Sequence, residues 1–186
     1  TVVDSTDTRY HRVFDTAVAA VIAAVEDCVS IADVLVPVIV GNHDEFVSPL
    51  IAKVVKQYFR NDPRVVVDDS EISRKYLQWG TNLICMTHRF SKIDSAPNIM
   101  ATEAPHAWAV TTTREIHTGH LHTRKAISYR PYYESHGVVV RVLSSISAVD
   151  KWHYDNGFIG NARAAESFLY SEETGYIGSH LARVRQ

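Results

Sequence analysis

Apolar residues recur with a helical period along the first part of the chain. Val13, Phe14, Ala17, Val18, Val21, Ile22 and Val25 form one broad stripe within residues 8–29, which predicts a helix lying against a sheet. The period then breaks into a continuous apolar run, residues 34–40, read as a strand that ends in Gly41-Asn42-His43-Asp44-Glu45. Residues 46–59 predict a second amphipathic helix, with Pro49 tolerated in its first turn and Asn61-Asp62-Pro63 as its stop. Val65-Val66-Val67 reads as a short buried strand, and residues 75–79 and 82–87 flank Gly80-Thr81 as a hairpin.

Further on, residues 95–110 contain Pro97 and Pro105 and predict one or two short helices. A β-like run at 111–116 leads to Gly119-His120-Leu121-His122. Residues 124–130 and 137–143 read as strands separated by an irregular loop at 131–136, and residues 162–170 and 176–184 as a final hairpin around Glu173-Thr174-Gly175. No repeat or linker interrupts this order, so a single domain over residues 1–186 is expected. Alternating helices and strands followed by a β-rich half predict an α/β fold of two packed sheets flanked by helices.

Three strand ends carry chemistry. The turn at 41–44 places an amide, an imidazole and a carboxylate where open α/β sheets bind ligands. Asn42 can offer a neutral oxygen to a metal, His43 can carry a proton, and Asp44 can orient that imidazole. The plainer reading is a turn whose Asn and Asp cap the next helix. Strand 82–87 ends in His88. Alternation places His120 and His122 on the same side of an extended segment, about 7 Å apart. One histidine is more often a satisfied surface or core residue; three strand ends presenting imidazole or amide groups form a pattern that packing does not require.

In these motifs the chain resembles the calcineurin-like metallophosphoesterases. That family's motifs run Asp-x-His, Gly-Asp-x-x-Asp, Gly-Asn-His-Asp/Glu, a lone His after a strand, and Gly-His-x-His. The last three stand here in order, at 41–44, His88 and 119–122. The likeness is nearest to the phage and prophage branch, through Asn61-Asp62-Pro63-Arg64-Val65, Ser73-Arg74-Lys75-Tyr76, Trp152-His153-Tyr154 and Arg163-Ala164-Ala165-Glu166. The first two motifs are missing: no Asp-x-His and no Gly-Asp occurs, and the chain opens at Thr1-Val2-Val3-Asp4 without an initiator methionine. The expectation is a portion of the domain that lacks its N-terminal strands. Asp4, in Asp4-Ser5-Thr6-Asp7, is an alternative bridging ligand, set against a helix N-terminus capped by Thr6 or Asp7.

The resemblance implies a two-sheet sandwich flanked by helices, and two divalent ions (Mn, Fe or Zn) in a complete member. Asn42, His88 and His120 would hold one ion and His122 the other, so this chain is expected to bind one ion or none. The implied reaction is hydrolysis of a phosphodiester or phosphomonoester by metal-activated water, with His43 and Asp44 as the catalytic pair and a phage DNA-processing nuclease as one form of it. Trp152 and His153 are candidate substrate contacts, able to stack on a base or bond a phosphate. Arg74 and Lys75 are weaker phosphate candidates beside a solvated strand start. His11, His106, His117, His136 and His180 have no comparable context.

Composition narrows the partners. Hydrophobic residues make up 46% and charged residues 22%, as in a globular domain with a sizeable core. A net charge of −2 leaves no bulk basic field for non-specific nucleic-acid binding, although a phosphate ester within a nucleic acid remains a candidate substrate. Cys28 and Cys85 are isolated, which predicts a reduced, cytoplasmic chain, and no run is long enough for a membrane span. A sheet edge left open by missing strands would favour a homodimer. The reading from a different class is a non-catalytic binding module that keeps the fold without a complete dinuclear centre.

Overall fold

A computed structural model describes residues 8–42, 44–90, 92–119, 132–146 and 163–184. The chain, read from sequence as one domain, groups into two compact units, residues 1–72 and 73–186. Helices and several sheets make it a mixed α/β protein. Among the described residues no helix is long and apolar enough to cross a membrane.

The first unit alternates helix α1 (Thr8–Val29), strand β1 (Val34–Pro37), helix α2 (Val47–Tyr58) and strand β2 (Val65–Asp68). Only the C-terminal part of the α1 stripe packs as its spacing predicts: Val25, with Val29, is buried against Val55 and Phe59 at the end of α2 and Val67 of β2, and Val21 and Ile22 pack beside them, whereas Val13 is 67% exposed. The two strands run parallel, with Val34 opposite Val65 and Pro37 opposite Asp68. The strand stops at Pro37 rather than continuing to residue 40, because its only described partner, β2, is four residues long. Asp68 turns that partner away by accepting bonds from the Ser70 N–H (3.0 Å) and Oγ (2.6 Å). Arg64 Nη1 donates to the Val29 carbonyl at 2.9 Å, satisfying an acceptor at the end of α1 that has no partner within the helix.

The second unit is built on a five-stranded sheet. Its strands are β3 (Arg74–Trp79), β4 (Asn82–Thr87), β5 (Thr113–Thr118), β6 (Tyr132–Ser135) and β7 (Val138–Val142), in the order β3-β4-β5-β7-β6. Strands β4, β5 and β7 are mutually parallel, while β3 and β6 run antiparallel at the two outer positions. Helices α3 (Ala96–Glu103) and α4 (Pro105–Val110) connect β4 to β5, with proline in the first turn of each. They cover one sheet face, where Leu83, Cys85, Ile116, Val138 and Val140 are buried with Phe90, Ala96 and Met100. Strands β8 (Ala164–Ser171) and β9 (Gly175–Arg183) form a separate antiparallel hairpin. It packs on the sheet so closely that a side chain on Gly175 would run into Thr113, and one on Gly80 into Glu172.

One sequence expectation is corrected here. The segment 131–136, read as an irregular loop, contains β6, which pairs with β7 through the two-residue turn His136-Gly137. Both turn residues have positive φ (49° and 77°), the geometry that suits the twist of a two-residue hairpin. Histidine in place of the usual Asn or Asp hides that signal. The strand expected at 124–130 lies outside the described residues.

Candidate functional site

The three parallel strands of the second unit end in register. Thr87 of β4 stands opposite Thr118 of β5, and Thr118 opposite Val142 of β7. The chains remain joined beyond the ladder. The His88 carbonyl accepts the Gly119 N–H at 3.1 Å and the Thr118 hydroxyl at 3.4 Å, and Leu143 N–H donates to the Thr118 carbonyl at 2.8 Å. The half-buried His88 thus sits directly beside the residue that opens Gly-His-Leu-His. Two of the three motifs picked out by sequence therefore leave neighbouring strands at the same end of one sheet. A carboxylate also lies there: Glu166 of β8 accepts from the Ser144 hydroxyl at 3.2 Å and its N–H at 3.4 Å, just beyond β7.

The remaining predicted residues are distributed as follows. Asn42 is exposed in the turn after β1. Asp44 closes that turn by accepting the Gly41 N–H at 2.7 Å, and its second oxygen accepts the Ser48 hydroxyl in the first turn of α2. Its carboxylate therefore ties the turn to the first turn of α2 through a side-chain hydroxyl, while the N-cap position itself is Phe46 and has no side-chain capping bond. His43, His120, His122, Trp152 and His153 lie outside the described residues, as do Asp4 and Asp7. Arg74 is held by Glu103, donating from Nε at 2.8 and 3.0 Å and from Nη2, and Tyr76 donates to the same carboxylate at 2.6 Å. Lys75 is buried. Among the described residues no three His, Cys, Asp or Glu side chains are gathered in a metal-holding group.

By donor chemistry the strand ends fit a borderline divalent ion. His88, and by sequence His120 and His122, are neutral nitrogen donors of the kind that Mn, Fe or Zn accept. Neither cysteine competes, since Cys85 is buried in the apolar core and Cys28 is exposed on α1. Burial pushes the Cys85 thiol up to about 11, so it stays protonated at neutral pH.

Sequence reading missed the most concentrated polar group of this unit. On the sheet face turned to the β8–β9 hairpin, Glu115 is 1% exposed, His117 11% and Arg141 13%. Arg141 donates to Glu115 from Nε at 2.6 Å and from Nη2 at 2.8 Å, and the Tyr170 hydroxyl donates at 2.7 Å. His117 Nε2 lies 2.9 Å from the Glu115 carboxylate and 3.2 Å from the Tyr170 oxygen. Phe168 and Tyr176 flank the group, with the Arg141 guanidinium 4.3 Å from the Tyr176 ring centre. Burial works to raise the Glu115 pKa, but the bonds from Arg141, His117 and Tyr170 outweigh it and bring it down to about 2. The Tyr170 hydroxyl is pushed well above the ordinary phenol value by burial and by that anion. A signal existed: Glu115 and His117 alternate within one strand, and Arg141 interrupts a run of valines in another.

An open groove of about 550 Å³ in the first unit, between α2 and β2, contains none of the predicted residues. Its Asp69 is already paired with Lys56 at 2.6 Å and Lys53 at 3.8 Å. No protein-family model, curated protein or solved structure matches the chain.

Proposed function

We propose that the chain belongs to a metal-dependent phosphoesterase and carries the histidine side of its metal centre. The observation that supports this best is the bond from the Gly119 N–H to the His88 carbonyl at the carboxyl ends of parallel strands. Ligands of open α/β sheets collect at such ends. With His122 assigned to a second ion, His88 and His120 would hold a divalent ion. When bound, that ion would supply Lewis-acid activation of water and of the phosphoryl group. Asn42 is a further neutral donor, and His43 would carry a proton to the leaving oxygen. A phosphodiester is the substrate class, and nucleic acid the leading example.

Calorimetric titration of the chain with Mn²⁺ tests the reading. Of the one ion or none that the sequence allows, we propose one weak site, lost in His88→Ala and in His120→Ala, and no binding by the wild type would overturn it. Binding of the metal and of inorganic phosphate without turnover of bis-p-nitrophenyl phosphate would favour the binding-module alternative.

A further inference from the structure

We propose that Glu115 is a positioning residue, which fixes the carboxyl end of β5 beside His88; the assignment rests on the metal-centre reading above. A buried ion pair is a poor device for stability, because apolar side chains of similar volume hold two layers together as well or better. What such a pair supplies is direction. Two donors from Arg141 on β7, the hydroxyl of Tyr170 on β8 and the imidazole of His117 on β5 itself converge on one carboxylate. Apolar burial is non-directional, whereas this set of bonds has one good geometry.

Its place along the strand matters. Glu115 and His117 are the last two residues of β5 on this face, and Thr118 and Gly119 follow with their bonds to His88. The strand end is therefore held twice, laterally by the carboxylate and at its tip by the His88 carbonyl. Supporting groups that orient metal ligands typically alter affinity by about 10–100-fold when removed. Glu115 is suited to that role through the backbone, without touching the ion.

The test uses Co²⁺, whose visible absorption reports ligand geometry, on the full chain and two variants. Tyr170→Phe deletes one bond to the carboxylate. Glu115→Leu/Arg141→Met replaces the ion pair with apolar volume. Positioning predicts that variants shown folded by near-UV circular dichroism bind Co²⁺ more weakly, several-fold for Tyr170→Phe and about tenfold or more for the double variant, with a shifted band. Wild-type affinity and an unchanged band in folded variants would overturn the assignment and leave a structural cluster. If the double variant does not fold, Tyr170→Phe decides alone. A wild-type chain that takes up no Co²⁺ overturns the metal-centre reading, and this assignment with it.

Discussion

The two faces of the five-stranded sheet are made from alternate residues of the same strands, yet they are held by different physics. Towards α3 and α4, Leu83, Cys85, Ile116, Val138 and Val140 make a dry apolar layer. Towards the β8–β9 hairpin, Glu115, His117 and Arg141 meet Tyr170, Phe168 and Tyr176 through charge-assisted bonds and ring contacts. The apolar face supplies driving force without strong direction. The ionic face adds little net free energy but allows few registers. A face organised in this second way, just ahead of a strand end that carries candidate ligands, is expected where geometry matters more than stability.

The contrast can be broken most forcefully from the ionic side. Arg141→Leu leaves the Glu115 carboxylate buried without its main partner and should cost about 3–5 kcal/mol in urea unfolding. On the other face, Ile116→Ala opens a cavity and should cost about 2–5 kcal/mol, with no change in the pH dependence of stability. Acid should separate the faces as well. The Glu115 pKa is lowered to about 2 from 4.5, so its contribution is complete above 4.5 and is lost as pH falls towards 2. Melting temperatures measured between pH 5 and 2 should fall less steeply for Glu115→Leu/Arg141→Met than for wild type. An identical slope would show that Glu115 is not the group responsible. The smallest effect is Tyr170→Phe, about 1 kcal/mol, because Arg141 and His117 still satisfy the carboxylate.

Much of this frame is legible in the sequence where the determinants are local. The apolar stripe marks α1, and Gly80-Thr81 marks the β3–β4 hairpin, since its glycine has φ of 53° and sits against Glu172. Prolines 97 and 105 mark two short helices. Strand β6 escaped because its turn uses histidine at a positive-φ position. The neighbouring placement of His88 and Gly119 follows from two strand-end motifs once β4 and β5 pair, but parallel pairing is not written in either segment. The Glu115 cluster is harder still. Its partners are 26 and 55 residues away along the chain, and nothing local to Glu115 specifies an arginine on β7 or a tyrosine on β8. For Asp44, the turn and catalytic readings begin from the same residues, and only the bonds to Gly41 and Ser48 show how its carboxylate closes the turn.

The antiparallel strands at the outer positions of the sheet bear on how the unit assembles. Hairpins β3–β4 and β6–β7 each close through two residues, and such hairpins form in about 1–10 μs. The β4–β5 and β5–β7 pairings instead join strands separated by whole helices or long segments, and contacts so distant in sequence form slowly. Each hairpin can therefore deliver a preformed ribbon to the assembling centre, leaving β5 as the strand that docks between them. On this view β5, paired with β4 on one side and β7 on the other, is the strand that joins the two ribbons into one sheet.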